Sequence, residues 1–243
     1  MDLAATRKLS NTQTEAFDVE YVNDGLWQVL EPFLAEKLDG PGRFLDVGGG
    51  NGMLVDRILN AFPKSEGVNL EPAPNLVLAN KLNLRKEVIA LPLQELDENI
   101  GQFDVITINW VLHHLVAGRY AETRTCQIDA LRNLKRLMKP GAYLLAFENI
   151  YEGQIIDEGP SRIIHGLTAS KILASLTARL GANTAGVGVC FHSKKGWQKI
   201  FRDSGLDVFS IVPCYRFGAL SRLKKTALHL DESLVGFFAA KTV

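Results

Sequence analysis

An excess of charge of one sign is missing from this chain. Its 27 acidic and 27 basic residues cancel, which removes the electrostatic case for a nucleic-acid partner, because phosphate binding needs a basic face. Cysteine is scarce as well. Cys126, Cys190 and Cys214 are odd in number and lack metal-ligand spacing, so reduced thiols are expected and a disulfide framework or metal site is not. No apolar run is long enough to cross a bilayer, and Met1-Asp2-Leu3 lacks the basic start of a signal peptide, so a cytoplasmic protein without a membrane partner is expected. Internal repeats and low-complexity tracts are absent too. What remains is 243 residues with 47% hydrophobic side chains, enough for one α/β domain with additions.

The most informative stretch is Phe44-Leu45-Asp46-Val47-Gly48-Gly49-Gly50-Asn51-Gly52, an apolar strand running into alternating glycines, D-x-G-x-G-x-G. Glycine accepts positive φ in a sharp strand-to-helix turn and has no Cβ to hold a ligand off the main chain. The helix that follows, expected from Met53 to Ala61 with Asn51 as its N-cap, aims its positive end at the ligand. A dinucleotide fingerprint would need its third glycine where Met53 stands. Asp46 would also repel a phosphate, whereas it would attract the ammonium of an amino-acid moiety, directly or through water.

Alternating strand and helix patterns predict a mainly parallel sheet with helices on both faces. The expected strands are 43–47, 67–70, 87–91, 104–109 and 142–149. Helices are expected at 73–81 and 120–138, the second stopped by Lys139-Pro140-Gly141. Glu71 closes the second strand nineteen positions after Gly52, which places its carboxylate in the same crevice as the glycine turn. There it can accept both hydroxyls of a ribose.

At these residues the chain resembles the class I S-adenosylmethionine-dependent methyltransferases. The runs Phe103-Asp104-Val105-Ile106 through Val111-Leu112-His113-His114-Leu115 and Arg136-Leu137-Met138-Lys139-Pro140-Gly141 are similar to the fourth- and fifth-strand signatures of that family. Trp197 to Leu206 and Ser233 to Lys241 resemble the approach to strand six and the last strand. The resemblance implies a Rossmann-like seven-stranded sheet with an antiparallel last strand, and S-adenosylmethionine as cofactor. It implies cofactor contacts from Asp46, Gly48, Gly50, Gly52, Glu71, Pro72, Leu93, Asn109 and Trp110. Leu91-Pro92-Leu93 lacks the Asp that the family often sets against adenine, which leaves backbone atoms or Gln94 for that contact.

Exclusions narrow the acceptor. After strand four the chain reads Asn109-Trp110-Val111-Leu112, without the prolines of nucleobase amine methylation, and its Pro213-Cys214 pair falls near strand six rather than in the loop of pyrimidine C5 enzymes. A small-molecule acceptor is expected, with oxygen slightly favoured over nitrogen or carbon. The anticipated organisation is a helical cap at 1–40, a cofactor core at 41–150, an insertion at 151–192 that caps the acceptor, and the rest of the sheet at 193–243. The insertion would otherwise be a packing element or a homodimer interface. A hydroxyl acceptor needs a base, and the candidates are His165, His192, Glu148, His114 and its neighbour His113. Phe17 and Tyr21, four apart on one helical face, are candidates for a lid. Arg216, Arg222, Lys224 and Lys225 are candidates for an acceptor carboxylate or phosphate, against a solvated face. The rival readings are rearrangement or cyclisation assisted by the bound sulfonium, a nucleotide-dependent oxidoreductase, and a non-catalytic interaction module.

Overall fold

The computed structural model describes residues 21–172, 174–179, 184, 186–218 and 221–243. Seven strands form one sheet: β1 (Arg43–Val47), β2 (Glu66–Leu70), β3 (Lys86–Ile89), β4 (Phe103–Ile108), β5 (Met138–Gly153), β6 (Leu206–Arg216) and β7 (Leu230–Thr242). Their order is β3-β2-β1-β4-β5-β7-β6, and only β7 runs antiparallel to its neighbours. This is the doubly wound sheet with an antiparallel last strand that the sequence predicts.

Strand β1 is apolar and buried on both faces because helices cover both. On one side lie α1 (Asp24–Leu38) and α2 (Met53–Ala61); on the other, α4 (Tyr120–Arg136) and α7 (Lys194–Asp203). Leu26, Leu30, Leu34 and Leu38 recur every fourth residue along α1 and all are buried with Phe44, Phe147 and Phe237. At about 1.5 to 3 kcal/mol for each buried leucine, this stripe makes α1 a layer of the core. Of the segment anticipated as a cap, residues 1–20, including Phe17, lie outside the described residues. The remaining helices are α3 (Pro74–Leu78), α5 (Gly159–Ala169), α6 (Ala174–Arg179) and α8 (Arg222–Ala227).

Several boundaries differ from expectation for local reasons. Gly52, at φ 76°, takes the N-cap of α2, while Asn51 Oδ1 accepts from Met53 N at 3.2 Å from one residue earlier. Helix α3 is shorter than 73–81, and the Asn80 carboxamide beyond its end donates back to the Leu76 carbonyl at 3.0 Å. Strand β5 starts at Met138, not Ala142, since Lys139-Pro140-Gly141 ends α4 but then continues as a bulged strand with Gly141 at φ 76°. It also runs past Asn149 to Gly153, pairing Tyr151 with Ser233 of β7. No helix among the described residues is long and apolar enough to cross a membrane, and no cluster of ligating side chains suited to a metal ion occurs among them.

Candidate active site

Strand β1 delivers the chain into a turn tied to its neighbour: Gly48 N and Gly49 N both donate to Leu70 O, and Gly52 N donates to Gly49 O at 2.9 Å. Gly48, Gly50 and Gly52 have φ of 67°, 54° and 76°, the left-handed region that disfavours a Cβ. Space is also short, since a Cβ on Gly48 would sit 2.5 Å from Val111 Cγ2. Glu71 leaves the end of β2 and reaches the same turn. Its Oε2 accepts from Gly50 N at 3.0 Å and its Oε1 from Ala73 N at 2.8 Å. Burial raises its pKa, while those two amides oppose the shift. Pro72 beside it is exposed.

Asp46 is 2% exposed beneath the turn, and Thr107, its register partner on β4, donates to Asp46 Oδ1 at 2.7 Å. Asn109 and Trp110 follow β4 directly. Asn109 Oδ1 accepts from Phe147 N at 3.1 Å. Trp110 adopts φ 54°, a conformation that costs of order 1 to 3 kcal/mol and clusters at functional sites. It is held by Trp110 N to Phe147 O at 2.8 Å, by its indole donating to Asn149 Oδ1 at 3.2 Å, and by stacking on Phe147. Tyr21, 46% exposed, stands 5.9 Å from the Trp110 ring. Leu93 is buried in the core on the α4 and α7 face.

The base candidates separate sharply. Glu148, fully buried within β5 opposite Gly236 of β7, accepts from Leu112 N at 2.8 Å and meets His113 Nδ1 at 2.7 Å. Burial pushes its pKa up to about 8 and pulls His113 and His114 down to about 3. His192 is engaged at both ring nitrogens, by Glu158 Oε2 at 2.6 Å and Gln127 Oε1 at 2.9 Å. His165 is buried, with Nε2 3.1 Å from Thr123 Oγ1. His192 thereby links Glu158 at the start of α5 to Gln127 of α4, and His165 of α5 meets Thr123 of α4. Among the hydrogen bonds of the described residues, His113 is engaged by a side chain only at Nδ1.

Aromatic rings extend from His113: Phe191 at 4.7 Å, Tyr151 stacked on Phe191 at 4.6 Å, and Phe217 edge-on to Tyr151 at 5.8 Å. Arg216 pairs with Glu232, Lys225 Nζ donates to Asp231 O at 2.8 Å, and Arg222 and Lys224 are exposed on α8.

Sequence reasoning missed Asn69, Asn80, Thr107, Gln127 and Glu158. Asn69 did carry a signal, as a polar residue inside an otherwise buried strand; the others become visible only through contacts made across more than ten residues.

A sheet of this order and direction, with a glycine turn after β1 and an acid at the end of β2, is the fold of the class I S-adenosylmethionine-dependent methyltransferases. Residues 45–144, less than half of the chain, match the family model described as a methyltransferase domain. The chain is similar to the mitomycin biosynthesis 6-O-methyltransferase of Streptomyces lavendulae, 28% identical over 184 residues, covering 74% of this chain and 46% of that protein. It is also similar to the tRNA U34 carboxymethyltransferase of Azotobacter vinelandii, 32% identical over 145 residues, covering 57% of this chain and 41% of that protein. The chain therefore spans less than half the length of these curated relatives. The structure of the mitomycin 7-O-methyltransferase superposes with a TM-score of 0.55 at 22% identity, covering 90% of this chain and 55% of that one, and shows the shared fold.

Proposed function

We propose that this protein transfers a methyl group from S-adenosylmethionine to a hydroxyl of a small, flat acceptor, with His113 as base and Glu148 as its orienting partner. The observation that carries the cofactor reading is the meeting of Glu71 and Gly50 across the mouth of the turn. Three glycines at positive φ shape the turn, and the buried Glu71 carboxylate supplies acceptor oxygens for ribose hydroxyls. Asp46, near the end of β1, and Asn109 and Trp110, directly after the neighbouring β4, would hold the amino-acid end. Bound there, the cofactor supplies an electrophilic methyl group on a positively charged sulfur.

The chain's share of the chemistry is alignment, exclusion of water and removal of one proton. His113 stays neutral near pH 7 because burial opposes its charged form. When Glu148 is ionised and accepts from Nδ1–H, the Nε2 lone pair accepts the proton of the acceptor hydroxyl as the methyl passes from sulfur to that oxygen. The rings of Phe191, Tyr151 and Phe217 provide a flat apolar wall beside it. The similarity to a mitomycin O-methyltransferase supports a small hydroxylated acceptor.

The test is to incubate the protein with S-adenosylmethionine and a panel of hydroxylated aromatic compounds, with unmodified tRNA as a separate arm, and to quantify S-adenosylhomocysteine and methylated product. Product from the small molecules, lost in His113→Asn, supports the reading. Product from tRNA alone would overturn the acceptor class. Conversion of a small molecule with no S-adenosylhomocysteine released would favour rearrangement or cyclisation instead.

A further inference from the structure

We propose that Asn69 and Asn80 are positioning residues that preset the cofactor turn, an inference that rests on the S-adenosylmethionine reading of that turn. Their carboxamides converge on one backbone atom. Asn69 Nδ2 donates to Gly50 O at 3.1 Å and Asn80 Nδ2 donates to the same oxygen at 3.0 Å. The two side chains are joined by Asn69 Nδ2 to Asn80 Oδ1 at 2.9 Å, and Asn80 is anchored in turn to Leu76 O at 3.0 Å. On the other side of the same residue, Gly50 N donates to Glu71 Oε2. Gly50 is therefore gripped through its N–H and its carbonyl, which restrains both φ and ψ of a residue with no side chain to restrain them.

The space around the pair points the same way. Gly49 is not one of the spaced glycines of the motif, and its φ is not positive. It is needed because a Cβ there would lie 1.9 Å from Asn69 Oδ1 and 2.6 Å from Asp46 Oδ2. A Cβ on Gly52 would likewise fall 2.0 Å from Asn80 Oδ1. Two glycines thus make room for two asparagines. Asn69 is fully buried on β2, and Asn80 is half-buried just beyond α3, so the pair ties the turn to the strand that ends in Glu71. An unclamped turn would have to be ordered by the ligand at the moment of binding; this one is ordered beforehand.

The test uses the full chain with Asn80→Ala and Asn80→Asp. Asp keeps the shape and the acceptor for Asn69 but sets an oxygen against the Gly50 carbonyl. Two quantities are measured, amide hydrogen exchange across residues 46–53 in the ligand-free protein and the dissociation constant of S-adenosylhomocysteine. Both variants should exchange about tenfold faster in the turn and bind about five- to tenfold more weakly, the scale of one lost hydrogen bond. Asp should be no better than Ala. Unchanged exchange in the turn overturns the clamp, and faster exchange with unchanged affinity overturns its role toward the cofactor. If one variant fails to fold, the other decides by the same two readouts; if both do, Asn80→Ser, which keeps a shorter polar side chain, is judged by the same criteria. Wild-type protein that binds no S-adenosylhomocysteine is a separate outcome, seen before any substitution, and it overturns the cofactor reading and the purpose of the clamp with it.

Discussion

His113 Nδ1 lies 2.7 Å from Glu148 Oε2, so the turn after β4 and the interior of β5 share one buried proton-carrying contact. Where that proton sits sets whether the other ring nitrogen of His113, Nε2, carries a hydrogen or a lone pair. A protonated Glu148 donates to Nδ1 and leaves the histidine's own hydrogen on Nε2, whereas an ionised Glu148 draws the hydrogen to Nδ1 and frees the Nε2 lone pair. Burial pushes the Glu148 pKa to about 8. The methyl-transfer rate should therefore rise as the pH passes through about 8. Glu148→Gln locks the unproductive tautomer, so its rate should be low and flat with pH; a comparable loss of an orienting acid costs up to about 10⁴-fold in a serine protease triad. A pH–rate profile of wild type and variant checks this, and an unchanged profile in the variant would remove Glu148 from the mechanism.

Stability should move in the opposite direction. A buried acid whose pKa is raised on folding holds a proton that the unfolded chain has already lost, so its contribution is full below about 4.5 and drains away as pH rises to about 8. His113 and His114, lowered to about 3, act oppositely but only below about 6.5. Glu71 and Glu152, also raised by burial, lean the same way as Glu148. Between pH 6.5 and 8 the melting temperature should fall, and in Glu148→Gln it should fall less. Parallel melting curves for the two proteins across that interval would contradict the assignment.

S-adenosylhomocysteine and S-adenosylmethionine should each raise the melting temperature, whereas NAD should not. A ligand that binds only the folded state at a hundred times its Kd stabilises by about 2.7 kcal/mol. A shift with NAD and none with either sulfur compound would point to a different cofactor.

Glu71→Ala should weaken S-adenosylhomocysteine binding by about 1.5 to 3 kcal/mol, the range for hydrogen bonds to a charged group. Glu71→Gln should lose less, since one acceptor oxygen remains. Calorimetry on the two variants measures it, and full affinity in the alanine variant would exclude the ribose role.

Glu158→Ala should destabilise the fold by about 3 kcal/mol, because it strands buried donors on His192, Ser193 and Tyr120. Burial alone would raise the pKa of Glu158, but the His192 contact and these donors outweigh it and hold the carboxyl down at about 2. That stabilisation is present above about pH 4.5 and is lost as pH falls toward 2. Denaturant unfolding at neutral pH gives the magnitude, and a loss under 1 kcal/mol would show that water replaces the carboxylate there.

How much of this was legible in the chain depends on how far apart the partners lie. Asp46, the spaced glycines and Glu71 could be placed because strand, turn and strand end are local patterns, and a parallel sheet necessarily brings its carboxyl ends to one edge. The boundaries of β5 could not, because Lys139-Pro140-Gly141 reads as a stop until pairing with β4 and β7 carries the strand through it. The four candidate histidines looked interchangeable for the same reason. What distinguishes them is Glu158 and Gln127 on either side of His192, Thr123 beside His165, and Glu148 behind His113, contacts spanning 34 to 65 residues of chain.

From its residues alone, the protein was bound to form a doubly wound sheet with a bare-backbone turn, since periodicity and glycine stereochemistry act within a few residues. Which polar side chains hold that turn, and which histidine has a side-chain partner at only one ring nitrogen, only the tertiary structure decided. Those outcomes depend on burial and on pairs of atoms within 3 Å, and such proximity exists only once distant segments have packed.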